Sequence, residues 1–311
     1  MRWRLALSLS ALLLLGASSA QAISVGPGII EMQADAGAIT DSSFVVTNEE
    51  SETLSFALTI QKFIPQGDEG RTQFLPTTDT TGLPDWLFLD SSTITLRPGE
   101  SKRVPVSLRV PNEATPGGHY AAIFLTQTSL DTAAGQNVSA IPRIGVLVFT
   151  TVNGVVNERA VLKDVSVDQS VYASLPVRFR LALENQGNVH VQPKVQVEIK
   201  NMFGNTVAKI DGNPEGGRIL PGSSRRFVFD WQKDATNTEN GFFGGLKQEW
   251  SNFGLGFYEA DVKASTQKSG EIGESIIRFQ VWPWRLALVG LAGLVCLFIA
   301  LKLVRGLFVK R

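Results

Sequence analysis

Between residues 23 and 281 the dominant signal is a hydrophobic period of two. Leu54, Phe56, Leu58 and Ile60 alternate with Thr53, Ser55, Ala57 and Thr59. Val104, Val106, Leu108 and Val110 alternate with Arg103, Pro105, Ser107 and Arg109. Val177, Phe179, Leu181 and Leu183 repeat the pattern, as do Val195, Val197 and Ile199, and then Phe227, Phe229 and Trp231. A run of this kind buries one face against a second sheet and leaves the other in water. Turn clusters such as Arg97-Pro98-Gly99 and Pro221-Gly222-Ser223 separate the runs. No long helical period interrupts them, so the body is predicted to be all-β and of sandwich type. Pro105 cannot donate a ladder hydrogen bond, which predicts an edge or a bulge at its strand.

The punctuation repeats. Phe44-Val45-Val46-Thr47-Asn48 corresponds to Leu181-Ala182-Leu183-Glu184-Asn185, a half-apolar strand ending in Asn. Pro98-Gly99 through Val104 corresponds to Pro221-Gly222 through Phe227, and Gly118-His119-Tyr120 to Gly256-Phe257-Tyr258. The same order in both halves predicts two immunoglobulin-like β-sandwich domains in tandem, 23–153 and 154–281. Asn48 and Asn185 are expected to bond backbone at strand ends, and the Pro-Gly pairs to turn the chain. Tyr120 and Tyr258 are expected to pin a corner through their hydroxyls.

The two ends are of a different kind. Met1-Arg2-Trp3-Arg4, an apolar run from Leu5 to Gly16 and the exit Ala20-Gln21-Ala22 are the parts of a secretory signal peptide, with cleavage predicted after Ala22. Leu286 to Leu301 is a stretch of 16 residues with no polar side chain. A helix of that length covers about 24 Å, and Lys302 can snorkel to lengthen the span toward a bilayer core of about 30 Å. Trp282 and Trp284 supply an aromatic belt before the span, while Lys302, Arg305, Lys310 and Arg311 follow it. The predicted layout is a membrane segment at 282–304, a basic cytoplasmic tail at 305–311 and an exported body. Charge agrees with this layout. The whole chain has 29 bases and 29 acids, yet the terminal segments hold seven of the bases and none of the acids, leaving the body at −7. Such a chain is not a nucleic-acid binder. Its single cysteine, Cys296, falls in the span, and an exported body of 259 residues without cysteine points to a bacterial envelope.

The copies differ in one place. From Pro98 to Tyr120 is 22 residues, whereas from Pro221 to Tyr258 is 37. The extra residues lie within 232–254, a glycine-rich stretch holding Phe242, Phe243, Trp250 and Phe253. Read as a loop, this is the candidate partner-binding element, because exposed rings give large contact area at low entropy cost. Two other placements stay open for these rings, against the sandwich edge or on lipid headgroups.

No catalytic constellation stands out. There is no G-x-S-x-G, H-E-x-x-H, Walker loop or cysteine cluster, and the two histidines, His119 and His190, sit in strand or turn contexts. No catalytic residue, metal or cofactor is expected.

The residues Trp86, Ile94-Thr95-Leu96, Pro98-Gly99, Ser101, Val110-Pro111 and Pro116-Gly117-Gly118-His119-Tyr120 resemble the first ectodomain of the WxL-interacting proteins. The second half, with Glu184-Asn185, Gly187-Asn188-Val189-His190, Phe203-Gly204-Asn205 and Leu220-Pro221-Gly222-Ser223, resembles the corresponding region of proteins of that layout. The family order is signal peptide, two immunoglobulin-like domains, one span and a short basic tail. The resemblance implies an envelope protein whose first domain associates with peptidoglycan. This chain departs from the family in having Asp35-Ala36-Gly37 before its first Asn-ended strand. The functional expectation is a single-pass membrane protein that binds cell-wall polymer or surface proteins without covalent linkage. Its contacts with surface proteins include β-augmentation along the Pro105 edge. The alternative is a pilus-type assembly chaperone working through its edge strands, and a third reading is an envelope glycan hydrolase.

Overall fold

The computed structural model describes residues 23–128, 143–234, 241–266 and 270–309. The expected signal peptide at 1–22 and the terminal bases Lys310 and Arg311 lie outside the described residues. The fold is all-β, two immunoglobulin-like sandwiches followed by one apolar helix. The chain divides into two compact units, the first made mainly of residues before Gly154 and the second mainly of residues from Gly154 on.

The first sandwich is built from β1 (Ile23–Gly26), β2 (Ile29–Ala34), β3 (Ile39–Asn48), β4 (Leu54–Gln66), β5 (Arg71–Phe74), β6 (Leu87–Leu89), β7 (Thr93–Leu96), β8 (Ser101–Arg109), β9 (Gly117–Gln127) and β10 (Arg143–Val152), with a short helix α1 (Leu83–Trp86). One sheet runs β1-β3-β8-β6 and the other β2-β10-β9-β4-β5, with β7 also paired to β4. The chain changes sheets at Gly26-Pro27-Gly28: β1 pairs antiparallel with β3, and β2 pairs parallel with β10. Proline suits that crossing, since it has no N–H to give to either ladder. The alternating residues meet between the sheets, where Phe44, Val46, Phe56, Val106, Leu108, Ile123 and Leu125 are buried. Pro105 lies on an inner strand, not an edge. β8 pairs with β3 from Ser101 to Arg109 but with β6 only from Val106 to Leu108. The Pro105 position therefore has a neighbour on one flank only, and its missing N–H costs no bond on the other.

The second sandwich repeats the plan. Its strands are β11 (Ala160–Val167), β12 (Val171–Tyr172), β13 (Val177–Asn185), β14 (Lys194–Asn201), β15 (Thr206–Asp211), β16 (Ser224–Trp231), β17 (Gly256–Thr266) and β18 (Gly270–Val281). They form sheets β11-β13-β16 and β12-β18-β17-β14-β15. Again the first strand pairs antiparallel in one sheet, and the next pairs parallel with the last strand of the other. Val177, Phe179, Leu181 and Leu183 all point into the core with Val195, Val197 and Ile199. Aromatic rings fill its centre, with Phe179 stacked on Phe229 at 5.4 Å and Phe279 stacked on Tyr258 at 5.6 Å.

The two Asn-ended strands are held by the same set of bonds. Asn48 is fully buried; its Nδ2 donates to the carbonyls of Glu52 and Leu96, and its Oδ1 accepts from the Glu50 N–H. Asn185 is fully buried; its Nδ2 donates to the carbonyls of Val189 and Ile219, and its Oδ1 accepts from the Gly187 N–H. The Pro-Gly turn closes on each backbone: the Gly99 N–H donates to Asn48 and the Gly222 N–H to Asn185, both at 2.9 Å. These turns need a positive φ, 71° at Gly99 and 67° at Gly222, which glycine adopts without strain. A buried amide that bonds three backbone groups cannot be replaced isosterically. Asn185→Ala is expected to cost the second sandwich about 2–3 kcal/mol, and Asn185→Asp more, because a carboxylate offers no donor to the two carbonyls. Chemical denaturation of the two variants checks the order, with Asn48→Ala and Asn48→Asp as the matched pair in the first sandwich.

The last element is α3 (Trp284–Val309), preceded between β16 and β17 by α2 (Gly241–Ser251). Residues Trp284–Arg305 are long and apolar enough to cross a membrane, with mean hydropathy 2.5 over a stretch that is nowhere buried against protein. The helix begins two residues after Trp282 and continues to Val309, into the segment expected to be a tail. Lys302 extends over the Phe298 ring, its Nζ 5.0 Å from the centroid.

Candidate functional site

Two features of the second sandwich stand apart from structural need. The first is the open flank of β18. Its parallel partner β12 covers only Gln280 and Val281, while β17 follows the other flank from Val281 to Gly270. Among the described residues no strand pairs with β18 on the β12 side before Gln280. The N–H groups of Gln280 and Trp282 donate toward β12, to Ser170 and Tyr172. Backbone direction alternates along a strand, so Glu274, Ile276 and Arg278 present their N–H and C=O groups to the same open side. Ile276 is 59% exposed, and charged Glu274 and Arg278 flank it. In the first sandwich the last strand also outruns its parallel partner: β10 begins at Arg143, but β2 joins it only at Leu147.

The second feature is the residue 232–254 segment, which is not a loop. Its described part is largely the helix α2, seated by its C-terminal end. Asn252 is fully buried: its Oδ1 accepts from the N–H groups of Lys233 and Asp234, and its carbonyl accepts from the Leu175 N–H. The Gln248 Nε2 donates to the Leu175 carbonyl at 2.9 Å. Glu249 turns inward, and its side chain is fully buried. One carboxylate oxygen accepts from the Arg285 guanidinium at 3.1 Å and from the Arg285 N–H at 3.3 Å. The other accepts from the Leu286 N–H at 2.8 Å. Trp284 N–H bonds the Trp282 carbonyl and Ala287 N–H bonds the Pro283 carbonyl. Glu249 thus completes the first turn of α3, whose N–H groups have no intrahelical partner, and its negative charge suits that helix end. Arg285 is sandwiched, its Cζ 4.5 Å over the Trp284 ring and its Nε against Gly245. A Cβ at Gly245 would lie 2.5 Å from that Nε, so a larger residue here would have to displace the guanidinium from its present seat.

The rings divide accordingly. Phe243 is 81% exposed and Trp250 76%, while Phe242 and Phe253 are partly covered. Phe242 contacts Trp284 edge-on at 6.3 Å, and Phe257 contacts Trp282 at 6.0 Å. The four rings singled out from sequence therefore line one end of the second sandwich, where α3 departs. Of the membrane-anchor residues, Leu286 takes the Glu249 cap, while Leu301 and its apolar neighbours on α3 are exposed. The strand-end residues Asn48, Pro98, Gly99, Asn185, Pro221 and Gly222 form the two turns described above. Tyr258 accepts a hydrogen bond from the Leu255 N–H at 3.0 Å, whereas the Tyr120 ring packs between Phe63 and Phe149. The His119 ring packs on Trp86 at 4.5 Å, tilted by 55°, and its Nε2 bonds the Thr115 carbonyl. Among the described residues no group of His, Cys, Asp or Glu could hold a metal ion. Sequence reasoning missed Glu249. The sequence offered little signal for it, since the same stretch also holds Asp234 and Glu239 and its partner Arg285 lies on a different element.

No family model matches the chain, and no curated protein matches it. Solved structures similar to it include the class 5 fimbriae chaperone CfaA, at 13% identity over 83% of this chain and 99% of that chain, with TM-score 0.41. The E. coli chaperone DraB is similar at 12% identity over 84% and 96%, with TM-score 0.39. The Pseudomonas aeruginosa CupB2 chaperone is similar at 10% identity over 83% and 100%, with TM-score 0.38.

The Glu249–Arg285 pair should respond asymmetrically to substitution. Arg285→Met strands a buried carboxylate and is expected to cost about 3–5 kcal/mol. Glu249→Gln keeps an acceptor for the helix N–H groups and frees an arginine that can reach solvent, costing about 1–2 kcal/mol. Amide exchange at Leu286 checks both: protection falls in each variant, and further in Arg285→Met.

Proposed function

We propose that this chain is a single-pass membrane protein of the cell envelope, non-catalytic, which holds extended segments of other exported proteins by adding them as a strand to β18. The observation that carries the reading is the open flank at Glu274, Ile276 and Arg278, a row of backbone donors and acceptors beside an exposed isoleucine. Strand addition draws affinity from main-chain hydrogen bonds and specificity from side-chain pockets at alternate positions. The apolar helix α3 supports a membrane anchor, since its residues have no protein to bury them and its first turn is fully capped. The bases that follow the span support an orientation with the sandwiches outside the cytoplasmic membrane. Held there, the protein tethers its partner; a pilus-type assembly role is the form of the same contact in which the segment is passed on.

The alternation of backbone groups supplies a clean test. Ile276 faces its N–H to the open flank, so Ile276→Pro removes a donor from an added strand while leaving the β17 ladder whole. Ile277 faces β17, so Ile277→Pro breaks that ladder. In full-length protein cross-linked in intact cells and purified from membranes, Ile276→Pro is expected to lower co-purified envelope protein about tenfold, as for one or two lost hydrogen bonds. Its thermal midpoint should stay close to that of the parent, while Ile277→Pro lowers the midpoint. Unchanged co-purification in Ile276→Pro overturns strand addition at β18.

A further inference from the structure

We infer that one end of the second sandwich is a foot that rests on the outer interface of the bilayer, with α2 lying on the lipid surface and clamped to the span. The inference rests on reading α3 as a membrane segment and goes beyond it, because it assigns lipid contact to residues outside the span. Register brings the parts together. β18 ends at Val281, paired with Gly256 at the start of β17, and Tyr258 of β17 pairs with Asn201 at the end of β14. The β14–β15 turn, the entry to β17 and the departure of α3 are therefore at one end of the same sheet. All three carry exposed apolar side chains there. Phe203 in the turn is 79% exposed, Phe243 and Trp250 on α2 are similarly bare, and Phe253, Trp282 and Trp284 are exposed beside the start of α3.

Single exposed rings need no explanation, but a contiguous set around a span does. A water-facing cluster of this size would be an aggregation liability, whereas tryptophan and phenylalanine are favoured at the headgroup level. The Glu249–Arg285 clamp gives the second, independent observation. A buried carboxylate bound to both the first turn of α3 and its first arginine fixes α2 against the helix that enters the bilayer. A helix that served a protein partner would not need to be locked to the anchor. One that lies on the membrane gains from it, because the lock sets the depth of its rings. The occupant is thus the bilayer itself. Apolar rings, and not charge, make the contact.

Depth measurement on the full-length protein in phosphatidylglycerol–phosphatidylethanolamine nanodiscs tests this. With Cys296→Ser as background, single nitroxide labels are placed by Phe203→Cys, Phe243→Cys, Trp250→Cys, Leu291→Cys and Val155→Cys, and their collision rates with oxygen and with a nickel chelate are compared. The expected result is Leu291 in hydrocarbon, Val155 in water, and the labels at 203, 243 and 250 at headgroup depth. If Leu291 is in hydrocarbon while those three match Val155, the foot is overturned and the span stands. If Leu291 itself matches Val155, the span reading fails and the foot with it. Labels at 243 and 250 that neither reagent reaches are covered by protein, a second copy or a partner, and that outcome also overturns the lipid assignment. A variant carrying Glu249→Gln should keep Leu291 in hydrocarbon while its 250 label becomes more mobile and shallower.

Discussion

The fold depends on satisfying backbone groups where strands stop. A sandwich core is indifferent to which apolar residues fill it, within limits of volume, but a carbonyl left unbonded at its edge costs on the order of 1–3 kcal/mol. Asn48 and Asn185 meet that demand with one side chain each, bonding two carbonyls and one N–H apiece. The Pro-Gly turn can then fold back onto the asparagine backbone, which sets the start of β8 in one copy and of β16 in the other. The register of β3 with β8 and of β13 with β16 follows from that closure.

The same constraint governs the junction with the apolar helix, under harsher terms. If α3 enters a bilayer as proposed, water is scarce on the helix side, and an uncapped first turn would be expensive. The chain meets the cost with a carboxylate carried on a different element. The 15 or so residues that the second copy adds between Pro221 and Tyr258 deliver Glu249 to the N–H groups of Arg285 and Leu286. In the first copy the corresponding connection, 110–116, is a short turn with no helix to cap. The insertion is thus tied to the capping of α3.

Much of this was legible in the sequence. Period-two runs place their own cores, so the alternation alone assigns Phe44, Val106, Phe179 and Val197 inward. The paired motifs ending in Asn48 and Asn185 showed the repeat. Three things were not legible, for physical reasons. Pro105 marks a missing donor but not which flank lacks a neighbour, and β6 happens to stop one residue short of it. The 232–254 stretch has four glycines, which argue against a helix on propensity, yet Gly245 leaves room for the guanidinium packed against it. Glu249 and Arg285 are 36 residues apart, and charge patterning speaks only to neighbours on one element.

On the proposed membrane placement, electrostatics accounts for the aromatic character of the end from which α3 departs. The body at −7 is repelled from an anionic leaflet until the charges are screened, over about 10 Å at 0.1 M salt. Adding lysines at the junction would offset that repulsion, but exposed charge is screened and gives no fixed depth. Here Arg285, the base at the first turn of α3, is consumed internally by Glu249. With the nearest cation neutralised, orientation has to come from groups that prefer the interface for other reasons, and Phe203, Phe243 and Trp250 are such groups. On the same placement the open flank of β18 runs from its junction with α3 away from the bilayer, toward Gly270. Its charged neighbours Glu274 and Arg278 discourage pairing with a second copy, as charges on natural edge strands do. A tethered edge protected against itself but not against an extended segment is suited to receiving a strand from outside the chain.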